Sequence, residues 1–271
     1  MPHFCDRMPQ ELQQDVWKTD PEWFRPWFNT EAYHRLYGHR SEEEADRLVQ
    51  ALLNQEGLAS PGRVLDAGCG AGRHARAFFQ RGWDVHAFDL SEASISAAIN
   101  HPDVPANDKL QFQVHDLRKL DGQPGWHGGF DLVANFFTSL GYFDEPQAME
   151  RILGHFVAFL KPGGHLLVDY LNPEAVAKQL VPHERITKAD TTFDIHRRIH
   201  RGWIEKSIQY TWNGEPCHHV ERVQALTKSA FHSALSKAGL EVSHVWGDYA
   251  LSKWSPDSPR TMILAHKPTN P

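Results

Sequence analysis

The chain has 271 residues, of which 41% are hydrophobic, 23% charged and 11% aromatic, a composition typical of globular proteins. Its 28 basic and 34 acidic residues give a formal net charge of -6 near neutral pH. This composition excludes a disordered chain, and the acidic balance does not indicate a nucleic-acid-binding surface.

The N-terminal region is predicted to cover the body of the fold. Its first 30 residues carry bulky aromatic side chains among prolines and acids, typical of an irregular segment packed on other structure. These residues are Trp17, Trp23, Phe24, Trp27 and Phe28. Ser41 and Glu44 then form a capping box, followed by apolar residues at helical spacing up to Leu53. We interpret residues 1–58 as an N-terminal helical cover.

From Arg63 onward, short β-rich runs alternate with helical stretches. The predicted strands span residues 63–66, 85–89, 110–114, 130–135 and 166–170. Gly82 is placed to end the first intervening helix, and Ser91 is placed to cap the second. Strands separated by helices predict a parallel sheet with right-handed crossover connections.

After Asn172 the pattern changes to antiparallel β structure. The β-like runs are residues 191–199, 203–212 and 217–226. Asn213 and Gly214 form a dipeptide typical of a hairpin turn between two of these runs. We interpret residues 173–226 as an antiparallel substrate-lid insertion.

The last part of the chain returns to the α/β pattern. Thr227 is placed to cap a helix that runs through Lys237, and strands are predicted at residues 241–246 and 261–266. Residues 59–172 and 227–271 are therefore predicted to form one α/β core around a single sheet.

The most informative stretch runs from Val64 to Gly72. An apolar strand leads into a loop with glycine at positions 68, 70 and 72, which lets a ligand approach the backbone closely. The residues after Gly72 are helical in pattern, so backbone amides would point into the crevice at the carboxyl end of the strand. The candidate cofactor-binding residues here are Asp66, Ala67, Gly68, Cys69, Gly70 and Gly72.

Two acidic residues indicate the chemistry of that cofactor. A dinucleotide-binding loop needs its third glycine at position 73, which is Arg73 here. Asp66 precedes the loop, where it would repel a phosphate and accept hydrogen bonds from a cationic amino group. Asp89 ends the second strand, where an acid can hold both hydroxyls of a ribose. Together they predict a nucleoside with a positively charged, phosphate-free arm.

These residues resemble the class I S-adenosylmethionine-dependent methyltransferases over roughly residues 60–172 plus the closing strands. Residues 64–72 are similar to the family's first motif, and residues 130–135 and 160–164 to its fourth motif and the turn before its fifth strand. The resemblance implies a Rossmann-like, mostly parallel seven-stranded sheet with helices on both faces. It also implies an N-terminal helical cover and an antiparallel β insertion after the fifth strand.

The same resemblance implies S-adenosyl-L-methionine as cofactor and S-adenosyl-L-homocysteine as product. Asp89 matches the ribose-binding acid, and the segment around Asp116 matches the one whose acid meets the adenine amino group. Tyr33 and Arg40 lie in a region similar to the N-terminal helix of glycine N-methyltransferase-like enzymes, where they could bind the methionyl carboxylate. The further cofactor-binding candidates are Leu90, His115, Leu117, Asn135 and Phe136.

The acceptor is predicted to be a small molecule, with methyl transfer to nitrogen favoured over oxygen or sulfur. Asn135-Phe136-Phe137-Thr138 lacks the two prolines of the Asn/Asp-Pro-Pro-aromatic motif that goes with methylation of nucleobase or protein amide nitrogens. The aromatic faces of Phe136, Phe137, Tyr142 and Phe143 could instead bind an ammonium-like acceptor, although core packing is the better explanation for at least two of them. The substrate-binding candidates are Phe137, Tyr142, Tyr170, Arg222 and Arg260.

The catalytic candidates are Tyr142 and Glu221, either of which could take a proton from an amine acceptor. No metal site is predicted, because His196 and His200 would lie about 13 Å apart along a strand. Cys5, Cys69 and Cys217 form no disulfide framework, and the chain has no signal layout or membrane-spanning run, so we expect a cytoplasmic protein.

Several alternatives stay open. The chain could methylate RNA or protein, or it could be a non-catalytic methyltransferase-like binding subunit, whereas a nicotinamide dehydrogenase is disfavoured by the glycine spacing. No nucleic-acid or membrane partner is expected, and the sequence does not decide between a monomer and a homodimer.

Overall fold

A computed structural model describes residues 16–38, 41–55, 58, 60–105, 108–145 and 147–269. The helices are α1 Phe24–Trp27, α2 Glu31–Tyr37, α3 Glu42–Leu53, α4 Arg73–Gln80, α5 Glu92–Ile99, α6 Ala148–Phe159, α7 Pro173–Gln179 and α8 Lys228–Lys237. The strands are β1 Arg63–Ala67, β2 Asp84–Asp89, β3 Leu110–Val114, β4 Phe130–Asn135, β5 Leu160–Leu171, β6 His183–Lys188, β7 Thr191–His200, β8 Trp203–Trp212, β9 Glu215–Gln224, β10 Glu241–Trp246 and β11 Arg260–His266.

The described strands form two sheets. The large sheet has seven strands in the order β10-β11-β5-β4-β1-β2-β3, with β11 antiparallel to both of its neighbours and the other pairs parallel. The small sheet has four antiparallel strands in the order β6-β7-β8-β9. The predicted Rossmann-like, mostly parallel sheet and the antiparallel insertion after the fifth strand are confirmed.

The centre of the large sheet is buried on both faces, as expected for parallel strands covered by helices. Val64 and Leu65 of β1, Val133 of β4 and Leu167 of β5 have no exposed surface. One hydrophobic cluster contains side chains of α3, α4 and α5, and a second contains side chains of α1, α6 and α8. The helices therefore lie on both faces.

Side-chain caps set where several helices begin. The hydroxyl groups of Ser41, Ser91 and Thr227 accept hydrogen bonds from backbone amides of the first helical turn, as the sequence predicted. Thr30 does the same for α2. Within the described residues, none of the helices is long and apolar enough to cross a membrane.

The structure also corrects the sequence-based element boundaries. Strand β5 extends from Leu160 to Leu171 rather than over residues 166–170. The sequence analysis did not predict α7 or β6 between Asn172 and Thr191. Residues 24–27 are helical rather than irregular, and Trp27 is completely buried.

Candidate functional site

The loop after β1 presents its backbone at the carboxyl ends of β1 and β2. Gly68, Gly70 and Gly72 have φ angles of 80°, 55° and 78°, a left-handed conformation that favours glycine. The Gly68 and Cys69 amides donate to the Phe88 carbonyl over 2.8 and 2.9 Å, which fixes the loop against β2. Open space surrounds the position of a Cβ on Gly70, so this part of the loop can meet a ligand.

Asp89 is held by the backbone at the end of β2. Its Oδ2 accepts a 2.8 Å hydrogen bond from the Gly70 amide, and its Oδ1 accepts a 2.8 Å bond from the Ser91 amide. Burial raises the pKa of this carboxyl, and the bonds from Ser91 and Gly70 oppose that rise. Asp89 lines the crevice where the sequence analysis expected a ribose-binding acid.

Two buried acceptors lie at the base of the glycine loop. Neither carboxylate oxygen of Asp66 nor Oδ1 of Asn135 has a partner with full hydrogen-bond geometry among the described residues, although the Arg73 charge and the Ala75 amide lie near enough to lower the pKa of Asp66. Burial, reinforced by the charge of Asp89, raises the pKa of Asp66 to about 7. The Asn135 side-chain amide donates to the Ala67 carbonyl over 2.6 Å, so its own oxygen remains available. Both side chains are fully buried beneath the loop and line neither lobe of the crevice, so binding of a cationic amino group by this pair stays a prediction.

The crevice has two connected lobes. The larger has a volume of about 240 Å³ and the smaller about 50 Å³, and Gly68, Asp89 and Tyr142 line both. The larger lobe brings together these sequence-predicted residues: Tyr33, Gly68, Cys69, Gly70, Asp89, Phe136, Phe137 and Tyr142. The smaller lobe adds Leu90, His115, Asp116 and Leu117.

Three other predicted cofactor-binding residues, Ala67, Gly72 and Arg40, are not among those that line the crevice. Ala67 and Gly72 lie within the loop segment but do not line the crevice, and a Cβ on Gly72 would stand 2.5 Å from the Phe112 ring. The absence of a side chain at Gly72 therefore lets the loop pack closely against β3. Arg40 lies outside the described residues.

Asp116 is part of an ion-pair group that we call the Asp116 cluster: Glu22, Arg25, Asp116 and Arg118. Oδ1 of Asp116 accepts bonds from the backbone amide and Nε of Arg118 over 2.9 and 3.0 Å. Oδ2 accepts bonds from Nη2 of Arg118 and Nη2 of Arg25 over 2.7 and 3.0 Å. Arg118 also pairs with Glu22, which joins the N-terminal segment to the loop after β3.

The Asp116 cluster corrects the expected role of Asp116. Although burial alone would raise it, the pKa of this carboxyl is lowered by the bonds from Arg118 and the charge of Arg25. A carboxylate offers about four lone-pair sites, and all four are used here by protein donors. Asp116 is therefore not placed to accept a further bond from an adenine amino group, and it anchors the N-terminal segment instead.

A backbone corner after β4 projects Phe137 into the larger lobe. Phe137 and Thr138 have φ angles of 58° and 71°, which are unusual for residues with side chains. The Phe137 amide donates to Oδ2 of Asp169 over 3.1 Å, and the Thr138 amide donates to the Asp169 carbonyl over 3.0 Å. Asp169, which is completely buried, thus holds the corner in its strained conformation.

Arg260 does not form the anion clamp that the sequence suggested. Its Nε and Nη2 lie 2.8 and 2.7 Å from Oδ1 of Asp169, and it does not line either lobe. The guanidinium neutralises the buried carboxylate behind Phe137. The prediction of direct substrate binding by Arg260 is wrong, because its charge is committed inside the protein.

Tyr170 and Arg222 also lie away from the crevice. Tyr170 is fully buried, packs against Phe231 and donates its hydroxyl to the Gln224 carbonyl over 2.7 Å. Arg222 forms ion pairs with Asp144 and Glu205 at 3.3 and 3.2 Å. Both side chains stabilise the packing of the small sheet, which corrects their predicted role in substrate binding.

Glu221 is linked to the crevice through Tyr37. Its carboxylate accepts hydrogen bonds from Trp27 Nε1 over 2.7 Å and from the Tyr37 hydroxyl over 2.7 Å. Lys206 Nζ donates to the same Tyr37 oxygen over 2.6 Å. Tyr37 lines the larger lobe and Glu221 does not, so Glu221 is a positioning residue rather than one that touches a ligand there.

Sequence reasoning missed several residues that line the larger lobe: Phe28, His34, Tyr37, Glu42, Arg73 and His74. Tyr33 and Tyr37 are four residues apart on α2, a spacing that places both on one helix face and could have revealed Tyr37. His74 stacks on Phe136 with ring centroids 3.9 Å apart. Tyr142 packs its ring against Trp23 and Phe28, at 5.3 and 5.5 Å.

Comparisons with known proteins identify the family. A family model described as a methyltransferase domain matches residues 37–245. The chain is 24% identical over 243 residues to YqeM of Bacillus subtilis, a protein classed by name among the methyltransferases, covering 87% of this chain and 94% of the relative.

Solved structures show the same fold. An S-adenosylmethionine-dependent methyltransferase from Clostridium acetobutylicum superposes with a TM-score of 0.73 at 14% identity, covering 88% of this chain and 96% of that one. S-adenosylmethionine-bound CalS10, an amino pentose methyltransferase from Micromonospora echinaspora, gives 0.65 at 20% identity, covering 88% and 97%. At these identities the likeness establishes the architecture and leaves the acceptor open.

Proposed function

Because the chain belongs to the methyltransferase domain family and is an S-adenosylmethionine-dependent enzyme, we propose that it methylates a nitrogen atom of a small-molecule amine. The observation that carries this proposal is the wall of the larger lobe. Phe28, Tyr33, Tyr37, Phe137 and Tyr142 line it beside the glycine loop. Aromatic faces attract cationic groups through the ring quadrupole, whereas a phosphate-rich acceptor gains nothing from them.

The residues at the glycine loop fit the cofactor. We propose that Asp66 and Asn135 hold its amino group, since their buried oxygens lack partners with full hydrogen-bond geometry among the described residues. Asp89 would hold the ribose, and the smaller lobe beside His115 and Leu117 would take the adenine. When bound, the cofactor supplies a methyl group that its sulfonium already activates for in-line displacement by a nucleophile.

The protein's own residues then orient the amine and manage its proton. An alkylammonium must lose a proton before its nitrogen can attack, and Tyr37 offers a hydroxyl in the larger lobe that is hydrogen-bonded to a carboxylate. The Tyr37 hydroxyl donates to Glu221 and accepts from Lys206. We propose that the Tyr37 oxygen takes the amine's proton while its own hydroxyl proton passes to the Glu221 carboxylate, which is left neutral.

The N-terminal helices and the small sheet would enclose the reaction. We propose that residues 1–58 act as a cover and residues 173–226 as a lid that carries acceptor specificity. Trp27 links the two, because its ring stacks on His219 of β9 at 4.2 Å and its Nε1 binds Glu221. Excluding water at the transferring methyl group prevents side reactions and strengthens the electrostatic contacts.

The proposal is tested by measuring S-adenosylhomocysteine formation with three separate acceptor pools: small amines including amino sugars, total RNA, and a protein extract. We expect turnover in the amine pool that is lost in Asp89→Ala and retained in Asp84→Ala, a control at the opposite end of β2. Turnover confined to RNA or protein would overturn the acceptor assignment. Cofactor binding without turnover in any pool would instead indicate a non-catalytic binding subunit.

A further inference from the structure

One face of the small sheet brings two histidines and an aspartate together at its edge. Strands β6 and β7 are antiparallel, with His183 directly opposite His196. Asp194 lies two residues before His196 and therefore points to the same face. Nε2 of His183 and Nε2 of His196 lie 2.8 and 3.1 Å from Oδ1 of Asp194. One ligand atom from each residue lies within 4.8 Å of the other two.

We propose that His183, Asp194 and His196 form a binding site for a divalent transition-metal ion such as Zn²⁺. Imidazole nitrogen and carboxylate oxygen are ordinary zinc ligands, and tetrahedral bonds of about 2.0–2.2 Å separate neighbouring ligand atoms by about 3.4 Å. The observed 2.8 and 3.1 Å separations are close to that value. Three protein ligands leave a fourth position for water.

The side chains at this site can admit an ion. Their exposed fractions are 37% for His183, 22% for Asp194 and 20% for His196. The two rings are stacked with centroids 4.3 Å apart and an interplanar angle of 13°. Both rings must tilt toward each other to direct their lone pairs at one ion, and this exposure gives them room to do so.

The guanidinium of Arg185 lies beside the proposed site and repels a metal cation. Nε of Arg185 lies 2.6 Å from Oδ2 of Asp194, and its side chain is 71% exposed. Arg185 uses the carboxylate oxygen that faces away from the histidines, so it lowers metal affinity without occupying the ligand position. Removing this charge should therefore strengthen metal binding.

The site is separate from the crevice. Phe193 and Ile195, which alternate with Asp194 and His196 along β7, are completely buried in the main hydrophobic cluster. The ligands therefore lie on the opposite face of the small sheet, and a bound ion would fasten edge strand β6 to β7. The sequence analysis tested His196 only against His200, because it did not predict β6.

The test is titration of the purified full chain with Co²⁺, followed by its visible absorption, and with Zn²⁺, followed by calorimetry at pH 7.5. The chain has 18 histidines, so the comparison with a matched variant decides the result. His200→Ala, at the far end of β7, should bind like the unchanged protein. His183→Ala and His196→Ala should each weaken the site at least tenfold and lose its Co²⁺ spectrum, and Arg185→Ala should strengthen binding.

Unchanged titrations in both His183→Ala and His196→Ala would overturn the proposal, as would the absence of stoichiometric binding to the unchanged protein. Far-UV circular dichroism establishes that each variant is folded. If His196→Ala does not fold, His183→Ala on the edge strand remains decisive, because its side chain is exposed and contributes little to the core.

Discussion

The glycine-loop end of the large sheet and the outer face of the small sheet use charged residues in opposite ways. At the loop, Asp66 and Asp169 are completely buried, and the first has no partner with full hydrogen-bond geometry among the described residues. On the small sheet, Asp194 and Arg185 meet at the surface. Burial makes the charges at the loop costly and responsive to a ligand, whereas water screens those on the small sheet. Replacing a charged residue should therefore change stability strongly at the loop and weakly on the small sheet.

The largest expected effect comes from breaking the buried pair behind Phe137. Arg260→Met leaves Asp169 as an uncompensated buried carboxylate, and we expect the free energy of unfolding to fall by about 3–5 kcal/mol. Urea denaturation followed by tryptophan fluorescence measures this loss. A change below about 1 kcal/mol would show that the pair is as well solvated as one on the surface.

A second effect concerns the pH dependence of stability. The folded-state pKa of Asp66, about 7, lies above its ordinary value of 3.8. The stability that the neutral carboxyl allows is therefore fully present below about pH 4, and it is lost progressively as the pH rises from about 4 to 7. Asp66→Asn removes this loss, and without cofactor we expect the variant to gain on the order of 4 kcal/mol at pH 8 but only about 2 kcal/mol at pH 5.

The measurement for Asp66→Asn is urea denaturation at several pH values between 5 and 8. Asp121→Asn is the matched control, because the Asp121 side chain is 87% exposed and its replacement should leave the pH profile unchanged. A gain for Asp66→Asn that does not depend on pH would contradict the assigned ionisation.

A smaller effect is expected on cofactor binding. Asp89→Ala should weaken S-adenosylmethionine binding by about 1–3 kcal/mol, because the ribose hydroxyls lose a charged acceptor. Calorimetric titration with S-adenosylmethionine and S-adenosylhomocysteine measures this change, with Asp84→Ala as control and NAD as a non-ligand. Unchanged affinity in a folded Asp89→Ala variant would remove Asp89 from the cofactor site.

The smallest effect is expected at the surface of the small sheet. Arg185→Ala removes an exposed partner of Asp194, and the free energy of unfolding should change by less than about 1 kcal/mol. Urea denaturation in metal-free buffer gives the value. If Arg185→Ala lowered the free energy of unfolding as much as Arg260→Met, charged residues in the two regions would not differ in their effect on stability.

The sequence predicted the fold well where local signals decide it. Strands β3 and β8 have the predicted boundaries, and the helix capped by Thr227 ends at Lys237 as expected. Alternating burial and side-chain capping are local properties of the chain. Strand β6 was missed because its residues are polar and its pattern alternates only between exposed and half-buried positions.

The site was predictable where the backbone forms it and not where distant side chains do. Three closely spaced glycines predict positive φ angles in the loop. The apolar pattern of β2 predicts where that strand ends, and therefore where Asp89 lies. The commitment of Arg260 to Asp169 joins residues 91 positions apart, and that of Arg25 to Asp116 joins residues equally far apart. A single sequence contains no signal for such pairs, so the roles of Arg260, Asp116 and Tyr170 emerged only from the structure.

The corner at Phe137 and Thr138 bears on how this enzyme could acquire new acceptors during evolution or in the laboratory. Each left-handed residue with a side chain costs about 1–2 kcal/mol, and the buried Asp169 offsets that cost by holding both amides. Glycine at position 137 would relax the backbone and enlarge the pocket in the same step. Glycine variants that broaden the acceptor range there would regain the free energy now lost to backbone strain. Most substitutions that change enzyme specificity instead lower stability.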